Sequence, residues 1–362
     1  MKEKETRKVF FMKAVRMYKP GDLRVEDVPV PQPKDDEALV KVMAVGVCGS
    51  DIPRANKYGA YISPITLGHE FSGQIVEVGK DVKKFKVGDR VTVPPLIPCN
   101  QCKWCKEGIY SLCEDYDYFG SRRDGAMAEF VAVPESNMLQ VPDNVGYLDA
   151  ATTDPCGNAL HGLAQAKLKP GEIFLAYGAG PIGLFAIQIA KARGASKVFA
   201  VDMGEEKIKV AKECGADIVI DASKEDPYEI IKKETNGQMA DVVIDFTGAP
   251  LAQKKAIDCA GKMARVVLLG ISHKGLDLEE KQVDNIMRGQ ISVIGSWNSF
   301  TDPWPGPDWF DGLELFKEGK ITAGPMISHK LPLDDAPGIF KKIDKGGFFF
   351  NKILFLPNGD VE

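Results

Sequence analysis

The chain has 362 residues, with 46 Lys and Arg against 51 Asp and Glu and a formal charge of −5. At roughly 100–200 residues per domain, that length points to two domains, each able to bury a core without disulfide or metal staples. Hydrophobic residues at 44% and charged ones at 27% exclude a disordered chain, and mild acidity without long basic runs excludes nucleic acid as an expected partner.

The N-terminal MKEKETRKVFFMKAV is charged and turns into an apparent strand with no apolar h-region, so no signal peptide is read there and a cytoplasmic location is expected. Up to about residue 160, Gly, Pro and Val are frequent and turn sequences recur (KPGD, PVPQPKDDE, KVGDR). That composition predicts an irregular, strand-rich domain with few helices. Inside it, Cys99, Cys102, Cys105 and Cys113 form C-x2-C-x2-C-x7-C, while Cys48, Cys156, Cys214 and Cys259 are scattered. Four thiolates satisfy tetrahedral zinc and leave no position for substrate, which describes a structural site; an iron–sulfur cluster accepts the same four ligands.

From Glu172 to Gly295 short apolar runs alternate with amphipathic stretches: IFLAY (173–177), KVFAVD (197–202), DIVID (217–221), DVVIDFTG (241–248), ARVVLLG (264–270) and ISVIGS (291–296). Runs this continuous and rich in Val and Ile are strands buried on both faces, and their alternation with helices predicts a doubly wound parallel sheet of about six strands. The charge-free stretch from Ile173 to Ala190 approaches the length of a membrane span, but Gly178, Gly180, Pro181 and Gly183 interrupt it. It reads as strand, tight turn and buried helix, and no membrane is expected. Beyond Asn298 a Pro- and Trp-rich loop (SFTDPWPGPDW), with Trp297 just before it and Trp304 and Trp309 inside it, leads to a helix-like DGLELFKEGK and closing strand-like segments. At least two of these tryptophans are expected to pack. The predicted division is 1–162, with a metal lobe at about 94–118, then 163–298, then 299–362 returning to the first domain.

Gly178-Ala179-Gly180-Pro181-Ile182-Gly183 follows a predicted strand and opens a predicted helix, and Asp202 ends the next strand. Glycines in that context let the backbone approach a pyrophosphate at the helix N-terminus, and the carboxylate binds a ribose 2′-OH. The acid disfavours a 2′-phosphate, so NAD is the expected cofactor. A dispersed set, Cys48 in GVCGSD, His69-Glu70 in LGHEFSG and Asp154 in TTDPCGN, offers a thiolate, an imidazole and carboxylates, a donor set that suits a catalytic zinc with an open position.

GVCGSD, PITLGHEFSG, KVGDRV, the four-cysteine spacing and GAGPIG together resemble the zinc-dependent medium-chain dehydrogenase/reductase superfamily, over about Met12 to Pro357, and above all its polyol dehydrogenase branch. The resemblance implies a GroES-like catalytic domain beside the Rossmann-type one, two zinc ions per chain, and a homodimer or homotetramer. It also implies Cys48, His69, Glu70 and Asp154 around the catalytic zinc, with Ser50 accepting the alcohol proton. Asp154 is a departure from the branch's Glu, and Pro53 stands where many of its alcohol dehydrogenases have His. Residues 1–11 precede the family's usual start and read as an extension without a catalytic role. CGSDIPR, YISPITLGHEFSG and GSRRDGAMAEF are closest to members acting on a polyol phosphate, so galactitol 1-phosphate going to tagatose 6-phosphate is the expected reaction. Arg122 and Arg123, with Arg54 and Lys57 behind them, are the candidate phosphate contacts. A free polyol, a sugar or L-threonine, the last because of DPCGNALH, is the alternative substrate, and a non-catalytic nucleotide-binding relative the remote one.

Overall fold

A computed structural model describes residues 10–361 and divides the chain into two units, one running to Thr152 and resuming at His329, the other Thr153–Ser328. The expectation for residues 1–9 lies outside the described residues. No helix among the described residues is long and apolar enough to cross a membrane.

The first unit is strand-rich. Strand Phe11–Lys19 pairs antiparallel with Asp22–Pro29. Strand Glu37–Gly46 is the spine of the larger sheet and pairs antiparallel with Glu70–Val78, Phe130–Pro134 and Lys352–Phe355. Alternation along these strands sends Val40, Val42, Phe71, Ile75, Ile353 and Phe355 into one core with Phe119 and Phe340. The segment after His329 thus returns to the first unit, and it also contributes the helix Ala336–Lys345, which the sequence reading did not separate from the closing strands. Pro337 and Gly338 hide that helix in the sequence, but proline in the first turn lacks only an N–H that would be unpaired anyway.

The second unit holds a six-stranded parallel sheet in the order Ile218–Asp221, Lys197–Asp202, Ile173–Tyr177, Ala240–Asp245, Ala260–Leu268, Ser292–Gly295. In chain order this is 3-2-1-4-5-6, with the switch point beside the first strand, where ligands of doubly wound sheets bind. The divisions predicted at 162/163 and 298/299 differ from the observed ones. The first would cut the continuous helix Thr153–Gln165. Residues 299–328 stay with the second unit because the helix Pro307–Lys317 packs on that helix: His161 Nδ1 lies 2.9 Å from Asp308, and a Cβ on Gly312 would stand only 3.2 Å from Cys156 Sγ. Trp309 is fully buried with its indole N–H on Ser299 Oγ at 3.1 Å, and Phe300 stacks against Trp304 and Trp309. Trp297 is half exposed.

The charge-free run resolves into strand Ile173–Tyr177, a glycine turn and the helix Pro181–Ala192. Each glycine does a different thing. Gly178 adopts φ +107°, Gly180 has open space where a Cβ would sit, and a Cβ on Gly183 would come within 2.0 Å of the Gly178 carbonyl oxygen. Gly183→Ala is therefore expected to cost about 1–3 kcal/mol, the range for overpacking a filled position. Gly180→Ala should stay within about 0.5 kcal/mol of the parent, as an unobstructed surface change does, with urea unfolding measuring both.

Candidate functional site

The metal-capable groups among the described residues are Cys48, His69 and Glu70 in one place, and Cys99, Cys102, Cys105 and Cys113 in another; within each, the ligand atoms all lie within 4.8 Å of one another. The first cluster forms at the ends of two paired strands. Gly46 and Glu70 are register partners, so Cys48, two residues past one strand, meets His69, one residue before the other. The chain then turns sharply, the Cys48 N–H donating to Asp51 Oδ2 at 3.0 Å, and enters the short helix Asp51–Pro53. Ser50 Oγ lies on the Cys48 sulfur at 3.3 Å and its N–H at 3.5 Å.

Asp51 is the residue the sequence reading passed over. It is fully buried, sits 3.3 Å from His69 Nδ1 and the same distance from Arg54. The His69 contact is close but not aligned as a hydrogen bond, so Nδ1 is a buried polar atom without a formal partner. Burial alone would pull the His69 pKa down, yet the charges of Asp51 and Cys48 hold it well above the ordinary histidine range. A field that negative suits a cation, and a carboxylate behind a ligating imidazole fixes its orientation and raises its basicity. The signal was present in the D of CGSD, but an acid in a turn also reads as a simple Asx turn. Lys352 was missed as well. It is buried and pairs with Glu70 through Oε2, and nothing in its local sequence marks it.

Asp154 belongs to the second unit, where it is buried in the first turn of the helix Thr153–Gln165, its carbonyl accepting from the Asn158 amide at 3.0 Å. Its place as a fourth ligand remains a proposal.

The four-cysteine lobe is built from a helix of one turn, Lys103–Lys106, and the 3-10 turn Tyr110–Leu112. Its sulfurs stand 3.6 Å (Cys102 to Cys105) and 3.9 Å (Cys99 to Cys105) apart, against roughly 3.8 Å along the edge of a tetrahedron with zinc–sulfur bonds of about 2.3 Å. The backbone N–H of Glu114, and after it that of Cys105, lower the Cys102 thiol to about 6, while burial pushes Cys105 up to about 12. The donor set and its size fit zinc.

In the glycine turn, Asp202 Oδ2 accepts the Ala179 N–H at 2.6 Å and Oδ1 the Met203 N–H at 2.7 Å. The carboxylate thereby braces Gly178 to Gly183, and Pro181 opens the helix with Ile182 partly exposed.

The two neighbouring arginines part. Arg123 is engaged with Glu37 at 3.2 Å and Asp117 at 3.6 Å. Arg122 lies between two rings, 4.1 Å from the centroid of Tyr61 and 4.5 Å from that of Tyr116, and its Nε is buried without a hydrogen-bond partner. Tyr116 in turn meets Tyr118 edge-on, and Tyr118 meets His69 at 5.5 Å, so ring contacts run from the metal-capable cluster to Arg122.

Residues 34–143 match the family described as alcohol dehydrogenase GroES-like domain, and residues 181–316 the zinc-binding dehydrogenase family. Galactitol 1-phosphate 5-dehydrogenase of Escherichia coli K12 is 38% identical over 96% of this chain and 100% of its own length. The crystal structure of the Escherichia coli galactitol-1-phosphate dehydrogenase superposes with a TM-score of 0.91 at 36% identity, over 96% of this chain and 100% of that one. L-threonine 3-dehydrogenase of Symbiobacterium thermophilum is 33% identical over 96% of this chain and 98% of its own, and D-arabitol-phosphate dehydrogenase of Enterococcus avium 34% over 92% and 95%.

Metal analysis of the purified protein is expected to give about two zinc ions per chain. Cys113→Ser should remove one and Cys48→Ala the other. Cys113→Ser should lower the melting temperature more, because its lobe has little regular structure apart from the metal.

Proposed function

The chain belongs to the zinc-binding dehydrogenases with a GroES-like alcohol dehydrogenase domain, oxidoreductases acting on CH–OH groups, and from that premise we propose that it oxidises a secondary alcohol of a polyol phosphate with NAD as hydride acceptor. Galactitol 1-phosphate going to tagatose 6-phosphate is the reaction supported best. Two of its relatives carry polyol phosphates in their names.

The observation that carries the phosphate half is Arg122. With Tyr61 and Tyr116 both packed against it, its guanidinium is oriented, and no carboxylate among the described residues pairs with it. Its in-plane N–H groups remain for a ligand, and a planar fork of donors matches phosphate geometry. Arg123, engaged by two carboxylates, packs over Phe119 at 4.9 Å and serves the fold.

Cys48, His69 and Glu70 are the proposed holders of the catalytic zinc, with Asp154 proposed to stand near it without filling the position left for substrate. Zinc held there would supply Lewis acidity toward the substrate hydroxyl, and bound NAD would serve as hydride acceptor. Asp51 keeps the imidazole of His69 oriented. Ser50 Oγ, fixed on the Cys48 sulfur, is placed to accept the hydroxyl proton. In the second unit the open space at Gly180 would admit the pyrophosphate, with Gly178, Pro181, Ile182 and Gly183 shaping the turn, and Asp202 would hold the adenosine ribose. The negative charge of Asp202, followed by Met203, favours NAD over NADP. The same reading includes a cytoplasmic homodimer or homotetramer.

NADH formation with galactitol 1-phosphate and galactitol side by side tests this. A kcat/KM preference for the phosphate above about 100-fold, about 2.7 kcal/mol, is expected. Arg122→Ala should remove most of that preference with kcat on free galactitol little changed, while Arg123→Ala should leave it in place and lower stability. Equal rates on both substrates would turn the assignment to free polyols, and NADH from L-threonine alone to an amino alcohol.

A further inference from the structure

The strand Lys352–Phe355 carries a lysine whose ammonium is almost wholly enclosed, at 1% exposure, in the midst of the metal-capable cluster. Its Nζ donates to Glu70 Oε2 and, at 3.2 Å, to the carbonyl oxygen of Val47. Glu70 follows His69 and Val47 precedes Cys48, so one side chain is tied to both ligand-bearing segments. The surroundings are built for it. Leu354 pairs with Gly46, the Val47 N–H donates to Ile353 O at 3.0 Å, and Gly46 is the register partner of Glu70. A Cβ on Gly46 would stand 2.5 Å from Glu70 Oε2 and 3.4 Å from Lys352 Nζ, so only glycine leaves room for the pair.

A buried ammonium beside donors for a divalent cation works against affinity for that cation, and as packing an apolar side chain would be at least as stable as a buried ion pair. What the ammonium adds is a fixed hold on one carboxylate oxygen. We propose that Lys352 is a positioning residue of the metal centre: it holds Glu70 Oε2, so that Glu70 offers the ion at most one oxygen and a coordination position stays open for substrate. The proposal rests on the reading that Cys48, His69 and Glu70 hold the metal. Freed of Lys352, the carboxylate turns both oxygens toward the ion, which gains a donor and is bound more tightly.

The test uses the full chain loaded with Co2+, whose ligand-field absorption weakens as coordination number rises. Subtracting the spectrum of Cys48→Ser removes the contribution of the four-cysteine site. Lys352→Met is expected to weaken the Cys48-dependent band about twofold, as an added donor does on leaving tetrahedral geometry. It should also raise the chelator concentration needed to strip the metal about tenfold, because a nearby positive charge is gone. Lys352→Arg should restore the parental band. In a Glu70→Gln background, Lys352→Met should leave the Cys48-dependent band unchanged, since no carboxylate is there to be freed, and this charge-balanced double variant stays informative if Lys352→Met alone fails to fold. A parental band in Lys352→Met, or an equal weakening of the band with and without Glu70, would overturn the proposal. Absence of any Cys48-dependent band in the unaltered chain would overturn the metal reading itself, and the proposal with it.

Discussion

One strand register underlies the metal-capable cluster. Gly46 faces Glu70 across one ladder and Leu354 across the other, and that alignment alone brings Cys48, His69, Glu70 and Lys352 together from three distant stretches of chain. A slip of one residue would send every side chain of the shifted strand to the opposite face. The register is held by burial: Val40, Val42, Phe71, Ile75, Ile353 and Phe355 reach the core only in this alignment. The chemistry at the strand ends thus inherits its precision from apolar packing along the strands.

The cluster is also a concentration of buried charge. Asp51, His69, Glu70 and Lys352 are all nearly inaccessible, and removing a single partner from such a set costs about 3–5 kcal/mol because its counterpart is left uncompensated. The set persists because each group has an opposite charge beside it: Arg54 and His69 for Asp51, Lys352 for Glu70. The four-cysteine lobe solves a different problem. It has almost no regular structure, and its four sulfurs, all within 4.8 Å of one another, are placed so that a metal could stand in for the core that so small a lobe lacks.

The parts of the molecule readable from sequence are those whose signal is local. All six strands of the second unit were legible as apolar runs within a few residues of their observed ends, since a strand covered on both faces has no polar alternation to confuse it. The glycine turn was equally legible, because Gly178 and Gly183 answer backbone requirements that arise within six residues of each other. Less was legible where an element borrows its stability from elsewhere. The helix Ala336–Lys345 carries two helix breakers at its start, and residues 299–328 side with the second unit through contacts made only in three dimensions, such as Asp308 with His161.

By itself the sequence determined that the chain folds as a doubly wound sheet with a strand-rich companion, that four cysteines suit one metal, and that Cys48 and His69-Glu70 suit another. Spacing within a short segment carries that information, because turn geometry and helix or strand period translate it directly into position. Only the tertiary structure decided which neighbours act on those residues. Asp51 stands behind His69, Lys352 comes from more than 280 positions away to Glu70, and of two adjacent arginines one is engaged by carboxylates and the other lies between two rings. Such pairings are long-range contacts selected by packing and by the cost of leaving a buried charge alone, and no local pattern encodes them.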